Sequence, residues 1–167
     1  DKIGYGLGDF GCNMSFAFIN NYLMVFYVTC MGIKAKHFAV IILLAKIFDA
    51  INDPIMGYIV DRNSFKNGKM RPYLLYTPVP VAILTMLLFY APNLADSQKM
   101  IYASITYVAW GMIYTSSDVP FWSLPNALTP NADERGSIIS KARTLNGIGS
   151  AVPMAMFMLL GFILPKL

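Results

Sequence analysis

The sequence predicts an all-α membrane protein. Hydrophobic residues make up 56% of it and charged residues only 13%, and the mean hydropathy is positive. The apolar residues fall into five stretches, roughly 4–31, 38–60, 73–91, 100–124 and 138–164. Each has the ~17–25 residues a helix needs to cross a ~30 Å hydrocarbon core, or slightly more. Five stretches of that length, joined by short polar loops, argue against a soluble helical bundle. The chain opens without Met and stops just after a span, so it is expected to be a fragment of a larger bundle.

Several classes are excluded early. The first span is too long and too polar at its start for the apolar core of a signal peptide. Cys12 and Cys30 lie on one helix, about 27 Å apart at ~1.5 Å per residue. They cannot bond to each other and form no metal motif. The net charge of +4 says little about nucleic acid, because topology distributes the basic residues. Arg62, Lys66, Lys69 and Arg71 crowd one loop, with Lys2 and Arg135 on the same side; Lys34, Lys36, Lys99 and Lys166 lie opposite. The positive-inside rule then puts the N-terminus and the 62–71 loop in the cytoplasm of a cell bounded by this inner membrane.

The first span begins GYGLGDFGCNMSFAFINNYL. Gly6-x-Gly8-x-x-Gly11 matches the dinucleotide fingerprint, but no strand precedes it and no βαβ unit surrounds it. Gly6-Leu7-Gly8-Asp9 has the G-x-G-D pattern of intramembrane aspartyl proteases; hydrolysis would need a second catalytic aspartate facing Asp9. Small residues that let the first span pack closely on a neighbour are the simpler reading. Asn13, Asn20 and Asn21 are amides within the span and are expected to face protein or a water-filled cavity.

The second span holds the central stretch, KIFDAINDPIMGYIVDR from Lys46 to Arg62. Asp49 and Asp53 are one turn apart on the same face of the helix, with Asn52 on the adjoining face. Pro54 has no N–H to donate, which leaves the carbonyl of Ala50 without its helical partner. An ionised carboxylate at membrane depth costs at least ~2.5–3.5 kcal/mol, so two of them point to a site for a cation. Hard oxygen donors suit an alkali cation held by Asp49 and Asp53. A proton is the other possible occupant, because two close carboxylates raise one pKa. An Asp–Lys46 ion pair stitching helices together is the structural alternative. After the span, Gly57, Asp61 and Arg62, then Gly68, Lys69 and Arg71, suggest a charge latch at a helix–helix turn.

The third span is apolar apart from Thr77 and Thr85, with Pro78 and Pro80 kinking its start. It is expected to be scaffold. In the fourth, Gly111, Thr115, Asp118 and Trp122 follow a single helical stripe among Tyr107, Trp110 and Tyr114. A carboxylate beside aromatic rings suits a polyol, whose hydroxyls take charge-assisted hydrogen bonds and whose apolar face stacks on Trp or Tyr. The fifth span has Arg143, Asn146 and Ser150 on one face, and Asp133-Glu134-Arg135 before it is expected to be an exposed turn. At ~1.5 Å per residue, Asp49 falls near the midplane, with Asp53 and Asn13 about 6–7 Å, Thr115 about 4–5 Å, Asp118 about 9 Å and Arg143 about 12 Å to the cytoplasmic side. Polar groups of four spans thus share one layer.

The stretches Asp49-Ala-Ile-Asn-Asp53-Pro-Ile-Met-Gly57, Trp110-Gly-Met-x-Tyr114-Thr115-x-x-Asp118-x-Pro-Phe-Trp122-Ser-Leu and Gly68-Lys-x-Arg-Pro resemble the glycoside–pentoside–hexuronide:cation symporters of the major facilitator superfamily. That resemblance implies helices 1–5 of a twelve-helix carrier whose C-terminal half is missing here. It implies symport of a sugar or glycoside with Na⁺, Li⁺ or H⁺, no cofactor beyond that ion, and no enzymatic activity. By the same likeness Asp49, Asn52, Asp53 and Thr115 match cation-site positions. Tyr114, Asp118, Trp122 and Arg143 match sugar-site positions, and Asn13 is expected to join them through hydroxyl hydrogen bonds. Melibiose-type members have a lysine–aspartate pair where this chain has Cys12-Asn13, so a galactoside preference does not carry over. A carrier for a lipid or other amphiphile, or a membrane sugar sensor without transport, are the alternatives.

Overall fold

The computed structural model describes residues 2–63 and 70–163. Six helices account for nearly all of them: α1 (Lys2–Thr29), α2 (Ala35–Arg62), α3 (Arg71–Tyr76), α4 (Pro78–Leu88), α5 (Asp96–Leu128) and α6 (Ala132–Ile163). No strand occurs among the described residues. Helices α1, α2, α5 and α6 cover the first, second, fourth and fifth apolar stretches, and α3 with α4 cover the third. The break comes at Thr77, because Pro78 brings no N–H to the ladder. Thr77 bridges the gap, its amide donating to the Tyr73 carbonyl at 3.0 Å and its own carbonyl accepting from Val81 at 3.1 Å.

One expectation needs correction. Asp133, Glu134 and Arg135 are not a turn but the first turn of α6. Asn131 caps it, its Oδ1 accepting from the Asp133 amide at 2.9 Å, and the two acids complement the positive end of the helix dipole. Among the described residues no helix is long and apolar enough to cross a membrane. The reason is local: α1, α2, α5 and α6 each carry acids, amides or an arginine in mid-helix, and the most apolar stretch is split at Thr77.

The chain divides into two compact units. The first joins α1 up to Leu23 with α6 and the chain from Pro125. Here small residues bring two backbones together. A Cβ on Gly6 would lie 2.5 Å from Leu145 Cδ1, and one on Gly149 would lie 2.7 Å from the Phe10 carbonyl oxygen. Tyr5, Ile19, Leu23, Ile138 and Ala142 are buried along this seam. The Tyr22 hydroxyl closes its far end by donating to the Pro153 carbonyl. Close packing by small residues, expected for the first span, therefore holds at Gly6, whereas Gly11 faces open space.

The second unit runs Met24–Leu124. Helix α1 ends in a left-handed turn: Gly32 has φ +73°, and the Ile33 amide reaches back to the Tyr27 carbonyl at 2.9 Å. A glycine in the left-handed region just past the helix end costs nothing there, because it has no Cβ. Tyr27 then packs edge-on against Phe38 of α2, at 5.6 Å between centroids. Phe26 meets Phe89 at 5.4 Å. Tyr102 donates to the Leu87 carbonyl at 2.7 Å, and the Trp110 indole donates to Thr85 Oγ1 at 3.1 Å, which ties α5 to α4. Thr85 thus has a structural task.

Candidate functional site

The second unit brings α2 and α5 together through their polar residues. Thr115, buried at 7% exposure, donates its hydroxyl proton to Asp53 Oδ1 at 3.2 Å. One turn earlier on α5, a Cβ on Gly111 would come within 3.1 Å of Asp49 Oδ1, so the bare glycine backbone leaves room for that carboxylate. Ser116 contributes a weak contact to Met56 Sδ at 3.8 Å. The Asn52 amide lies between the two acids in sequence, and its Nδ2 is buried without a hydrogen-bond partner. Two carboxylates, an amide and a hydroxyl thus come from two helices. Among the described residues no group of three or more His, Cys, Asp and Glu side chains gathers anywhere.

Lys46 takes part differently from the stitch between helices considered from sequence. Its Nζ lies 3.3 Å from Asp49 Oδ2, an i,i+3 pair within α2, with the two side chains 57% and 27% exposed. An ion pair with this much exposure contributes at most ~1 kcal/mol. The ammonium is a weakly held partner of one oxygen, and the other oxygen faces Gly111.

Further along α5 the rings stack. Trp110 lies against Tyr114 at 4.9 Å and 20°, and Tyr107 lies against Trp110 at 6.5 Å and 16°. The Trp122 indole donates to Asp118 Oδ1 at 3.2 Å. That bond fixes the carboxylate relative to the ring, the geometry a hydroxylated ligand with an apolar face requires. Gly111 and Thr115 of the expected stripe thus meet Asp49 and Asp53 of α2, and Asp118 and Trp122 pair with each other further along α5.

Asn13 and Arg143 belong to the first unit, where the principal group is one that sequence reasoning passed over. Asp9 is 1% exposed. Its Oδ1 accepts from Asn13 Nδ2 at 2.8 Å and from Asn146 Nδ2 of α6 at 3.3 Å. Arg143 of α6 acts on it electrostatically. The signal was present, since Asp9 and Asn13 are spaced i,i+4 on one helix face, but the G-x-G-D pattern drew attention to a hydrolase instead.

At the end of α2, Arg62 donates to the Tyr58 hydroxyl at 2.7 Å and rests 5.9 Å from that ring's centre. Asn63 Nδ2 reaches the Tyr73 hydroxyl at 3.3 Å. Gly57 meets no atom that a Cβ would strike, and Arg71 begins α3. Gly68 and Lys69 of the expected latch lie outside the described residues.

Comparison with known proteins shows the family. The chain belongs to the MFS/sugar transport protein family, whose model matches residues 4–166. The resemblance to glycoside–pentoside–hexuronide:cation symporters holds, and the family is one of membrane transport proteins. An uncharacterized symporter, YnaJ of Bacillus subtilis, is 40% identical over 91% of this chain and 33% of its own length. A putative glycoside/cation symporter, YagG of Escherichia coli, is 36% identical over 90% of this chain and 33% of its own. The isoprimeverose transporter of Lactiplantibacillus pentosus is 32% identical over 91% and 32%. The chain thus spans about a third of the length of these relatives. An all-α chain of this extent fits the N-terminal part of such a carrier.

Proposed function

We propose that the chain supplies the cation site and part of the sugar site of a symporter in the cytoplasmic membrane. The carrier moves a sugar or glycoside inward with Na⁺, Li⁺ or H⁺, and catalyses no reaction. The observation that bears most weight is the Thr115–Asp53 hydrogen bond, which joins the two motif-bearing helices at the residues read from sequence as cation ligands. Asp49, Asn52, Asp53 and Thr115 hold the ion. A half-turn of the Asn52 amide exchanges its unpartnered nitrogen for an oxygen and enlarges the set of hard donors. Tyr114, Asp118 and Trp122 hold the sugar.

Coupling follows from electrostatics. The ion neutralises Asp49 and Asp53, and Thr115 lies three residues from Asp118 on the same helix, so filling one site orders the other. Linkage makes the effect reciprocal. Alternating access is rocking of this half against the other around the bound layer. The basic segment between α2 and α3, with Gly57, Asp61 and Arg62 at the end of α2, Gly68 and Lys69, and Arg71 at the start of α3, latches the helices on the cytoplasmic side, where the N-terminus also lies.

Membrane placement has a physical support of its own. Leu43, Ile47, Ile51, Ile55 and Tyr58 form a stripe along α2 that is more than half exposed, and Leu75, Tyr76, Val79 and Met86 are more exposed still. A protein in water seldom leaves so continuous an apolar surface uncovered. Lipid satisfies it, with α1, the α3–α4 pair and the other helices forming five spans (about 4–31, 38–60, 73–91, 100–124 and 138–164).

The test is sugar binding to the full-length carrier in lipid, titrated with Na⁺, Li⁺ and acid. The native protein gains sugar affinity as one of these ions is added. Asp53→Cys removes the gain; an Asp53→Cys protein with native cation dependence contradicts the site.

A further inference from the structure

Asp9 takes no part in the coupling described above, yet it is the most deeply buried acid among the described residues. Its two oxygens differ. Oδ1 receives two amide N–H groups, from Asn13 and Asn146. Oδ2 is also shut away, with no hydrogen-bond partner. The closeness of the helices explains why water is excluded: the Gly6–Leu145 and Gly149–Phe10 contacts lie on either side of Asp9 along α1. An ionised carboxylate shares its charge over both oxygens and requires partners for both, so a bare Oδ2 is costly. A neutral acid confines the accepting role to the carbonyl oxygen, which is the atom that both amides address.

We propose that Asp9 is a proton-binding site of the carrier, additional to the Asp49/Asp53 cation site, and that a proton on Oδ2 is what allows α1 and α6 to close. The proton comes from water and forms one O–H bond on Oδ2; opening the seam returns it to water as the carboxylate is hydrated. The charged group facing Asp9 across the seam is Arg143 of α6, whose guanidinium makes no hydrogen bond to Oδ2. Asn13 and Asn146 are uncharged. A metal ion fits less well, because both amides turn N–H groups toward the acid and no cluster of three His, Cys, Asp or Glu side chains exists among the described residues. The site deepens the carrier reading by naming a proton as a second bound ion, and rests on that reading only for its part in transport.

Infrared spectroscopy of the full-length carrier in lipid tests this, at neutral pH and saturating Na⁺. The native protein shows a protonated-carboxyl C=O band that disappears in Asp9→Asn and shifts in Asp9→Glu. Loss of carboxylate absorption alone in Asp9→Asn, with the acid region unchanged, overturns the proposal. Should Asp9→Asn fail to fold, Asp9→Glu decides: a shifted acid band supports the site and an unmoved one refutes it. Cation-dependent sugar binding is read on the same native sample. An Asp9 acid band without cation-dependent sugar binding sinks the carrier reading and keeps the proton site; the converse sinks the proton site alone.

Discussion

Replacing Thr115 by valine tests the cation site with the least disturbance. The side chain keeps its shape and burial but loses the hydroxyl that donates to Asp53 Oδ1 at 3.2 Å. Hydrogen bonds to charged groups contribute ~1.5–3 kcal/mol. Asp53 is itself exposed, so water replaces part of the lost bond and the lower half of that range applies. At ~1.4 kcal/mol per factor of ten, the cation affinity falls by about ten- to forty-fold. The hydroxyl oxygen is also lost as an ion ligand, which acts in the same direction. Calorimetric titration of the full-length carrier with Na⁺ or Li⁺ measures the change. Thr115→Ser keeps the donor and recovers most of the affinity, while sugar binding at saturating cation stays near native in both variants. Native cation affinity in Thr115→Val would refute the assignment of Thr115 as a ligand, and with it the pairing of α2 and α5 as the site.

Two other outcomes are expected. Asp118→Ala removes the carboxylate that Trp122 orients, so sugar binding is abolished while cation binding persists; equal loss of both, read by paired titrations, would indicate a folding defect instead. Gly149→Ala drives a Cβ to 2.7 Å from the Phe10 carbonyl, and overpacking of this kind costs ~1–3 kcal/mol. A lowered Tm of the purified carrier reports it, and an unchanged Tm would contradict the close approach of α1 and α6.

The helices were legible in sequence because long apolar runs leave the backbone few alternatives, and the prolines at 78 and 80 marked the break in the third run. The first turn of α6 was not, because Asp133, Glu134 and Arg135 look like a solvated turn until Asn131 is recognised as a cap. Asp49 and Asp53 stood out through residue chemistry, as carboxylates placed among apolar residues, whereas Thr115 was matched to them through the family resemblance. What sequence could not show was which polar groups meet. Lys46 pairs within its own helix, Trp122 spends its N–H on Asp118, and Asn13 turns to Asp9. Those choices depend on rotamers and on how near two backbones come, and small residues such as Gly6, Gly111 and Gly149 permit close approach without naming the partner.

Coupling itself is tested most directly by reciprocity. Cation affinity of the full-length carrier is measured with and without saturating sugar, and sugar affinity with and without saturating cation. The account predicts that each ligand tightens the other by one and the same factor, and that Asp53→Cys brings both factors to unity. Sugar affinity indifferent to every cation and to pH in the native protein would contradict it.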